Sequence, residues 1–204
     1  MRGRRWAVVI PVKPLATAKT RLRGAAPGLP HERLVLAFAL DCATAAVASR
    51  AVAEVLVVTD DPVAAKALGE VGAFVVPDEP GAGLNAALRY GAGLLSGPVA
   101  ALAGDLPALR PAELAGALDA AGAHARAFVA DATGGGTVLL TAAGAPLDPR
   151  FGAGSARAHT AAGAVPLDGA WPSLRLDVDT AEDLARATAL GLGAHTRAAL
   201  ATLR

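Results

Sequence analysis

The sequence predicts an α/β fold built on a mainly parallel sheet flanked by helices. Three observations predict it. Short apolar runs alternate with longer helical patterns over most of the chain. The apolar runs are continuous, as in strands covered on both faces. Most of them also end in charged or hydroxylated residues, and in open α/β sheets ligands bind at the carboxyl ends of the strands.

The elements follow in order. WAVVIPV (Trp6–Val12) reads as a buried strand and His31–Ser49 as a long helix. Glu54–Asp60 is a strand. Asp61–Gly72 is a helix, with Asp61 as N-cap, Pro62 in the first turn and Gly72 at the stop. Ala73–Pro77 is a strand and Gly83–Leu95 a helix; Pro98–Asp105 is a strand and Pro111–Gly122 a helix. Ala125–Asp131 is a further strand. Right-handed crossovers at this pitch give a parallel sheet. From residue 131 to 172 the chain is rich in loops and glycine, with one short strand, Thr137–Thr141. Ser173–Thr180 is expected as a strand ending in acids, and Ala181–Leu190 as a helix. No repeat or long linker divides the chain, so residues 1–204 are expected to form one domain, elaborated over 131–172.

Composition narrows the class. Of 204 residues, 53% are hydrophobic but only 3% aromatic, so Val, Leu and Ala must fill the core. A net charge of +1 points to neither nucleic acid nor a membrane surface. The only cysteine, Cys42, cannot pair within the chain, fits a reducing compartment and reads as a small core residue. The basic start precedes an apolar run too short for a signal peptide, and no run is long enough to span a bilayer, so a cytoplasmic protein is expected.

The first strand runs into VKPLATAKTRLR, a loop with no glycine that carries Lys13, Lys19, Arg21 and Arg23. Loops that cradle phosphate usually use glycine and backbone amides. Here side-chain cations take that place, and Lys13, Lys19 and Arg21 are the candidates for a phosphate; Arg23 is read as surface. The acids lie elsewhere. ALAGDLP ends a strand in Asp105, and LRLDVDT carries Asp177 and Asp179 two residues apart, on the same side of an extended chain. Three carboxylates so placed repel one another unless a cation lies among them, and hard oxygen ligands favour Mg²⁺ or Mn²⁺. The competing reading makes Asp105 a turn cap before Pro107, and Asp179 an N-cap paired with Glu182.

The third cluster is glycine-rich: Gly134–Gly136, then Gly152 and Gly154. Ser155 can cap a helix from Ala156. Such loops suit a small acid, or are flexible surface. Of the four histidines only His159, beside the second glycine loop, is a candidate for a role. There is no P-loop and no nucleophile elbow.

IPVKPLATAKTRL, VLVVTDD, GLNAAL, ALAGDLP, FGAGSARAH and LRLDVDTAEDL occur in the order found in the CofC/FbiD family. These are the guanylyltransferases of coenzyme F-420 biosynthesis, and the resemblance covers nearly the whole chain. It implies a GT-A-like nucleotidyltransferase fold. It implies transfer of GMP from GTP to the phosphate of phosphoenolpyruvate, or of 2-phospho-L-lactate or 3-phosphoglycerate, with release of pyrophosphate. It implies one or two Mg²⁺, or Mn²⁺, at Asp105, Asp177 and Asp179. The acid's carboxylate would meet Thr137, Gly152 and Ser155, and Lys13 and Lys19 would serve the nucleotide, with Asn85 near the base. The labile product would pass to the next transferase of the pathway. Another GT-A nucleotidyltransferase, acting on molybdopterin or a sugar phosphate, and a non-catalytic GTP-binding module are the alternatives.

Overall fold

The computed structural model describes residues 5–202; the basic start at Arg2 and Arg4 lies outside the described residues. The chain runs β1 (Trp6–Pro11), α1 (His31–Val47), β2 (Val52–Val58), α2 (Pro62–Glu70), β3 (Phe74–Val76), α3 (Leu84–Gly93), β4 (Val99–Leu102), α4 (Pro111–Ala121) and β5 (Arg126–Ala130). It continues with β6 (Thr137–Ala142), α5 (Ser155–Ala161), β7 (Val165–Pro166), α6 (Pro172–Arg175), α7 (Ala181–Leu190) and α8 (Ala194–Ala201). Among the described residues no helix is long and apolar enough to cross a membrane.

The strands form one sheet in the order β3-β2-β1-β4-β6-β5-β7. β1 lies between β2 and β4, parallel to both, with Val8 opposite Val55 and Ala100. Its residues divide by parity. Val8 and Ile10 face a core shared with α1 and α4, whereas Val9 faces α3 through Ala87 and Leu88. A continuous apolar strand is therefore needed, because both faces are covered. Cys42 is in the first of these cores, as expected, and burial pushes its thiol pKa up. A third core lies under α7 and α8, where Phe38 and Leu22 meet Leu176, Val178 and Leu184.

The sheet is mainly parallel, as expected, with one reversed strand: β6 enters between β4 and β5 and runs antiparallel to both. The sheet is mixed here because β5 and β6 are joined by a short return with no helix to carry a crossover. The expected strand Ser173–Thr180 is absent. Pro172 opens a short helix instead, and side chains hold it there. Ser173 N donates to Glu113 Oε2 at 2.8 Å, and Ser173 Oγ accepts from Arg110 N at 3.0 Å. The Arg175 guanidinium donates to the carbonyls of Ala130 and Leu167, both at 2.9 Å. Beyond Arg175 the chain keeps a strand-like alternation without a strand partner. Leu176 and Val178 are buried, while Asp177 is half-buried and Asp179 exposed. One backbone bond ties this segment down, Val178 N to Asp105 O at 3.1 Å.

His195 is one of the four histidines. It lies in α8, and Asp41 of α1 supplies that helix's cap, accepting from His195 N and Thr196 N at 2.9 Å each. Asp41→Ala should lower stability by about 1–2 kcal/mol, or about 2–6 °C in Tm. Thermal unfolding followed by circular dichroism checks this, and an unchanged Tm would show that α8 does not depend on this cap.

Candidate active site

The glycine-free loop after β1 is shaped from outside itself. Asp61 Oδ1 caps α2, accepting from Val63 N and Ala64 N at 3.0 Å each, while its Oδ2 accepts from Leu15 N at 2.9 Å. Burial raises the Asp61 pKa, but these three N–H donors outweigh it and hold the carboxyl below its usual range. His31 Nε2 bonds the carbonyl of Ala18 at 2.6 Å. Lys19 then takes a left-handed backbone, with φ 52°, before the short turn Thr20–Leu22. That bend aims its ammonium at the carboxyl edge of the sheet, where it bonds Asp179 Oδ1 at 2.5 Å and pairs with Asp105 Oδ2.

Asp105 reaches this point because Gly104 precedes it. A Cβ on Gly104 would lie 3.2 Å from Ile10 Cγ2 and 3.3 Å from Pro11 O, so a larger residue would crowd the end of β4 against β1. The other oxygen, Asp105 Oδ1, is buried with no partner. Asp179 is not the helix cap. Thr180 caps α7, accepting from Asp183 N at 3.2 Å, and Asp183 Oδ2 accepts in return from Thr180 N at 3.0 Å. Asp179 is thereby left for Lys19.

Lys19 is 17% exposed by its side chain. Burial lowers its pKa, but the Asp105 and Asp179 carboxylates raise it further, and the net shift is upward. Asp177 is pushed up to about 7, first by burial and then by the Asp105 charge. Among the described residues no three His, Cys, Asp or Glu side chains converge as a metal cage, and the Lys19 ammonium neutralises two of the candidate ligands. The donor set nevertheless fits a hard divalent cation. It consists of carboxylates, one with an orphaned buried oxygen and one whose ionisation its surroundings oppose.

Lys13, Lys19, Arg21, Asp105 and Asp179 line one cavity of about 430 Å³, with Leu84, Leu88 and Phe151 across from them. Lys13 also lines a neighbouring cavity of about 300 Å³, with Asp60, Asp78, Gly81 and Gly83. Asn85 lines neither. Its amide donates to Phe151 O at 3.0 Å and accepts from Phe151 N at 2.8 Å, so it holds a loop where a ligand contact was expected.

The glycine loops also differ from expectation. Gly134–Gly136 is closed on Asp131, whose carboxylate accepts from Thr133 N, Gly135 N and Gly136 N at 3.0, 3.1 and 2.8 Å. Its amides are already occupied. Ser155 is the first residue of α5, not its cap; left-handed Gly154 holds that place, and Ser155 Oγ is buried without a partner. Ser155 N donates to Gly152 O at 3.1 Å. Thr137, at the start of β6, joins this group through His159: its Oγ1 and His159 Nδ1 are 2.9 Å apart. Thr137, Gly152 and Ser155 thus gather around the loop at 150–155. None of them lines the larger cavity, which they adjoin through Phe151. Asp61, Asp131 and His159 hold these loops in place. The sequence carried a signal for Asp61, as a helix cap, and for His159, by its position; Asp131 was missed, although it is a local closing residue of the Asx-turn kind.

The mixed, mainly parallel sheet with its acids at the carboxyl edge has the fold of nucleotidyltransferase structures. A protein from Desulfovibrio desulfuricans G20, described as a nucleotide-diphospho-sugar transferase, superposes with a TM-score of 0.69 at 15% identity, covering 98% of each chain. Rv0371c of Mycobacterium tuberculosis H37Rv, solved in complex with manganese, superposes at 0.53 with 20% identity over 91% of this chain and 98% of that one. Residues 6–204 match the family described as "Guanylyl transferase CofC like", and the chain belongs to that family. A relative from Salinispora arenicola (strain CNS-205), named phosphoenolpyruvate guanylyltransferase, is 60% identical over 195 residues, covering 94% of this chain and 91% of its own.

Asp177 offers a test by pH. Its folded pKa is raised, so the folded state holds a proton that the unfolded chain releases near pH 4, and stability falls as pH rises through about 7. Asp177→Asn should therefore stabilise the metal-free protein at pH 8, by about 1–2 kcal/mol after allowance for solvent screening. The gain should vanish near pH 4. A denaturant midpoint that is equal for both proteins at pH 8 would count against the strained carboxylate.

Proposed function

We propose that the protein transfers GMP from GTP to the phosphate of phosphoenolpyruvate, releasing pyrophosphate, as a step in coenzyme F-420 biosynthesis. The observation that carries this is the Lys19 ammonium between Asp105 and Asp179 at the sheet edge, in a chain of this family. The name that relatives from Salinispora arenicola and Geodermatophilus obscurus carry, phosphoenolpyruvate guanylyltransferase, supports phosphoenolpyruvate as the acceptor.

The residues divide the work. The cavity shared by Lys13, Lys19 and Arg21 suits the triphosphate; their side chains neutralise the transferring group and the departing pyrophosphate. The smaller cavity suits the base. Asp60 and Asp78 lie along it, and a carboxylate accepts from the N1–H and 2-amino group of guanine, which adenine lacks. Thr137, Gly152 and Ser155 would meet the acid's carboxylate, with the unpartnered Ser155 hydroxyl as one donor. Asp105, Asp177 and Asp179 would hold Mg²⁺ or Mn²⁺, whose chemistry is to neutralise charge between the two phosphates. The acceptor phosphate is already anionic, so no general base is required, and positioning with charge neutralisation carries the reaction.

The test is pyrophosphate release with GTP and Mg²⁺, with phosphoenolpyruvate, 2-phospho-L-lactate and 3-phosphoglycerate in parallel, ATP as control, and the downstream transferase present to remove product. Release with GTP and phosphoenolpyruvate alone is expected; release with another acid would reassign the acceptor, and silence with all three would reject the reading. Asp105→Asn and Lys19→Met should each lower kcat by about 10²–10³-fold. Ser155→Ala should raise the KM for the acid and leave that for GTP unchanged.

A further inference from the structure

His159 is 1% exposed and lies on α5, facing the start of β6. Both of its ring nitrogens are engaged. Arg150 N–H donates to Nε2 at 2.9 Å, and Nδ1 lies 2.9 Å from Thr137 Oγ1. A backbone amide can only donate, so Nε2 must carry a lone pair. A neutral imidazole with a bare Nε2 has its proton on Nδ1. Nδ1–H therefore donates, and Thr137 Oγ1 accepts. The threonine's own proton is left over, and among the described residues no bond uses it. The surroundings keep the ring in this state: Phe128 packs at 5.8 Å and Phe151 edge-on at 5.3 Å. Burial is the main reason the His159 pKa falls to about 4, with Arg150 and Arg126 lowering it further and Asp148 opposing them.

We infer that His159 is a positioning residue that holds Thr137 as a hydrogen-bond donor toward an anionic group, the carboxylate of the acid acceptor. The inference rests on the assignment of Thr137 to that carboxylate. Without the histidine, the Thr137 hydroxyl is free to turn its lone pairs outward and present negative charge to an anion. The same ring also fixes the Arg150 amide, while Asn85 fixes Phe151, so the loop ahead of Gly152 is held at successive residues.

The conservative variants separate this from simple packing. Asn places an amide N–H near the Nδ1 position; Gln places its polar group near Nε2. His159→Asn should keep the acceptor KM within about threefold of the unmodified protein, whereas His159→Gln should raise it about tenfold. The GTP KM should not move in either. Thr137→Val should raise the acceptor KM, and Thr137→Val combined with His159→Gln should be no worse than Thr137→Val alone. Equal effects of Asn and Gln, a parallel rise in the GTP KM, or additive effects in the double variant would overturn the inference. Thr137→Val leaving the acceptor KM unchanged would reject the carboxylate assignment, and the role of His159 with it. If Thr137→Val raises that KM and His159→Gln does not, the His159 inference alone fails. A long-range ¹⁵N–¹H correlation spectrum of the unmodified protein reads the tautomer without any variant. Nδ1–H is expected, and Nε2–H would overturn the inference.

Discussion

The ammonium of Lys19 is the counter-charge on which the carboxyl edge of the sheet depends. Asp105 comes from the end of β4 and Asp179 from the segment before α7, far apart in sequence. Two carboxylates brought this close repel each other, and burial adds to the cost. Lys19 meets both. To do so its backbone adopts a left-handed conformation that is uncommon for a residue with a side chain, and Asp61 and His31 hold the loop on either side of the bend. The fourth member of the group, Asp177, makes no ion pair among the described residues; Lys19 favours its ionisation, but burial and the Asp105 charge outweigh that. A loop without glycine is thus the counterpart of an edge rich in acid: it brings side-chain charge where amides would bring fixed dipoles.

The polar groups of the molecule fall into two kinds. Asp41, Asp61, Asp131, Asn85 and Arg175 are committed to nearby backbone, and each closes a loop or a helix end. Among the described residues six buried side-chain atoms have no partner: Asp105 Oδ1 on the larger cavity, Ser155 Oγ in the adjoining loop, and Trp6 Nε1, His31 Nδ1, Ser49 Oγ and Thr196 Oγ1 away from the cavity lining. Buried polar atoms without partners are costly in a protein that has many ways to satisfy them. Lack of a partner is therefore not by itself a mark of the site; Asp105 Oδ1 stands apart because its residue also lines the cavity.

The first half of the fold was legible because its strands are apolar on both faces and its helices carry local stop signals. The Asp61 cap and the α2 that follows it needed no tertiary information. The α6 segment was not legible, since LRLDV has the alternation of a strand and only distant partners, Glu113 and Arg110, turn it into a helical turn. The alternation was still informative, because it correctly set Asp177 and Asp179 apart from the buried Leu176 and Val178. The glycine run at 134–136 read as a pocket for a small acid or as flexible surface, although Asp131, two to five residues from the amides it bonds, is a local closing residue of the Asx-turn kind. Asn85 read as a ligand contact because its partner is 66 residues away. What the sequence concealed in Asn85 and Glu113 is the fixing of a distant segment by a single side chain across 60 residues or more.

The reversed strand β6 has a consequence for what can stand at the ligand edge. A parallel strand offers the ligand edge only the loop that follows it. β6 runs the other way, so Thr137, its first residue, stands at the same edge as the ends of β1 and β4, held in a ladder rather than in a loop. Backbone pairing joins this part of the sheet to the earlier strands only through β4. The ligand edge is thus assembled from two parts of the sheet that meet at a single strand, the basic loop after β1 on one side and Thr137 with the 150–155 loop on the other, and Asn85 is the side chain that reaches across to that loop.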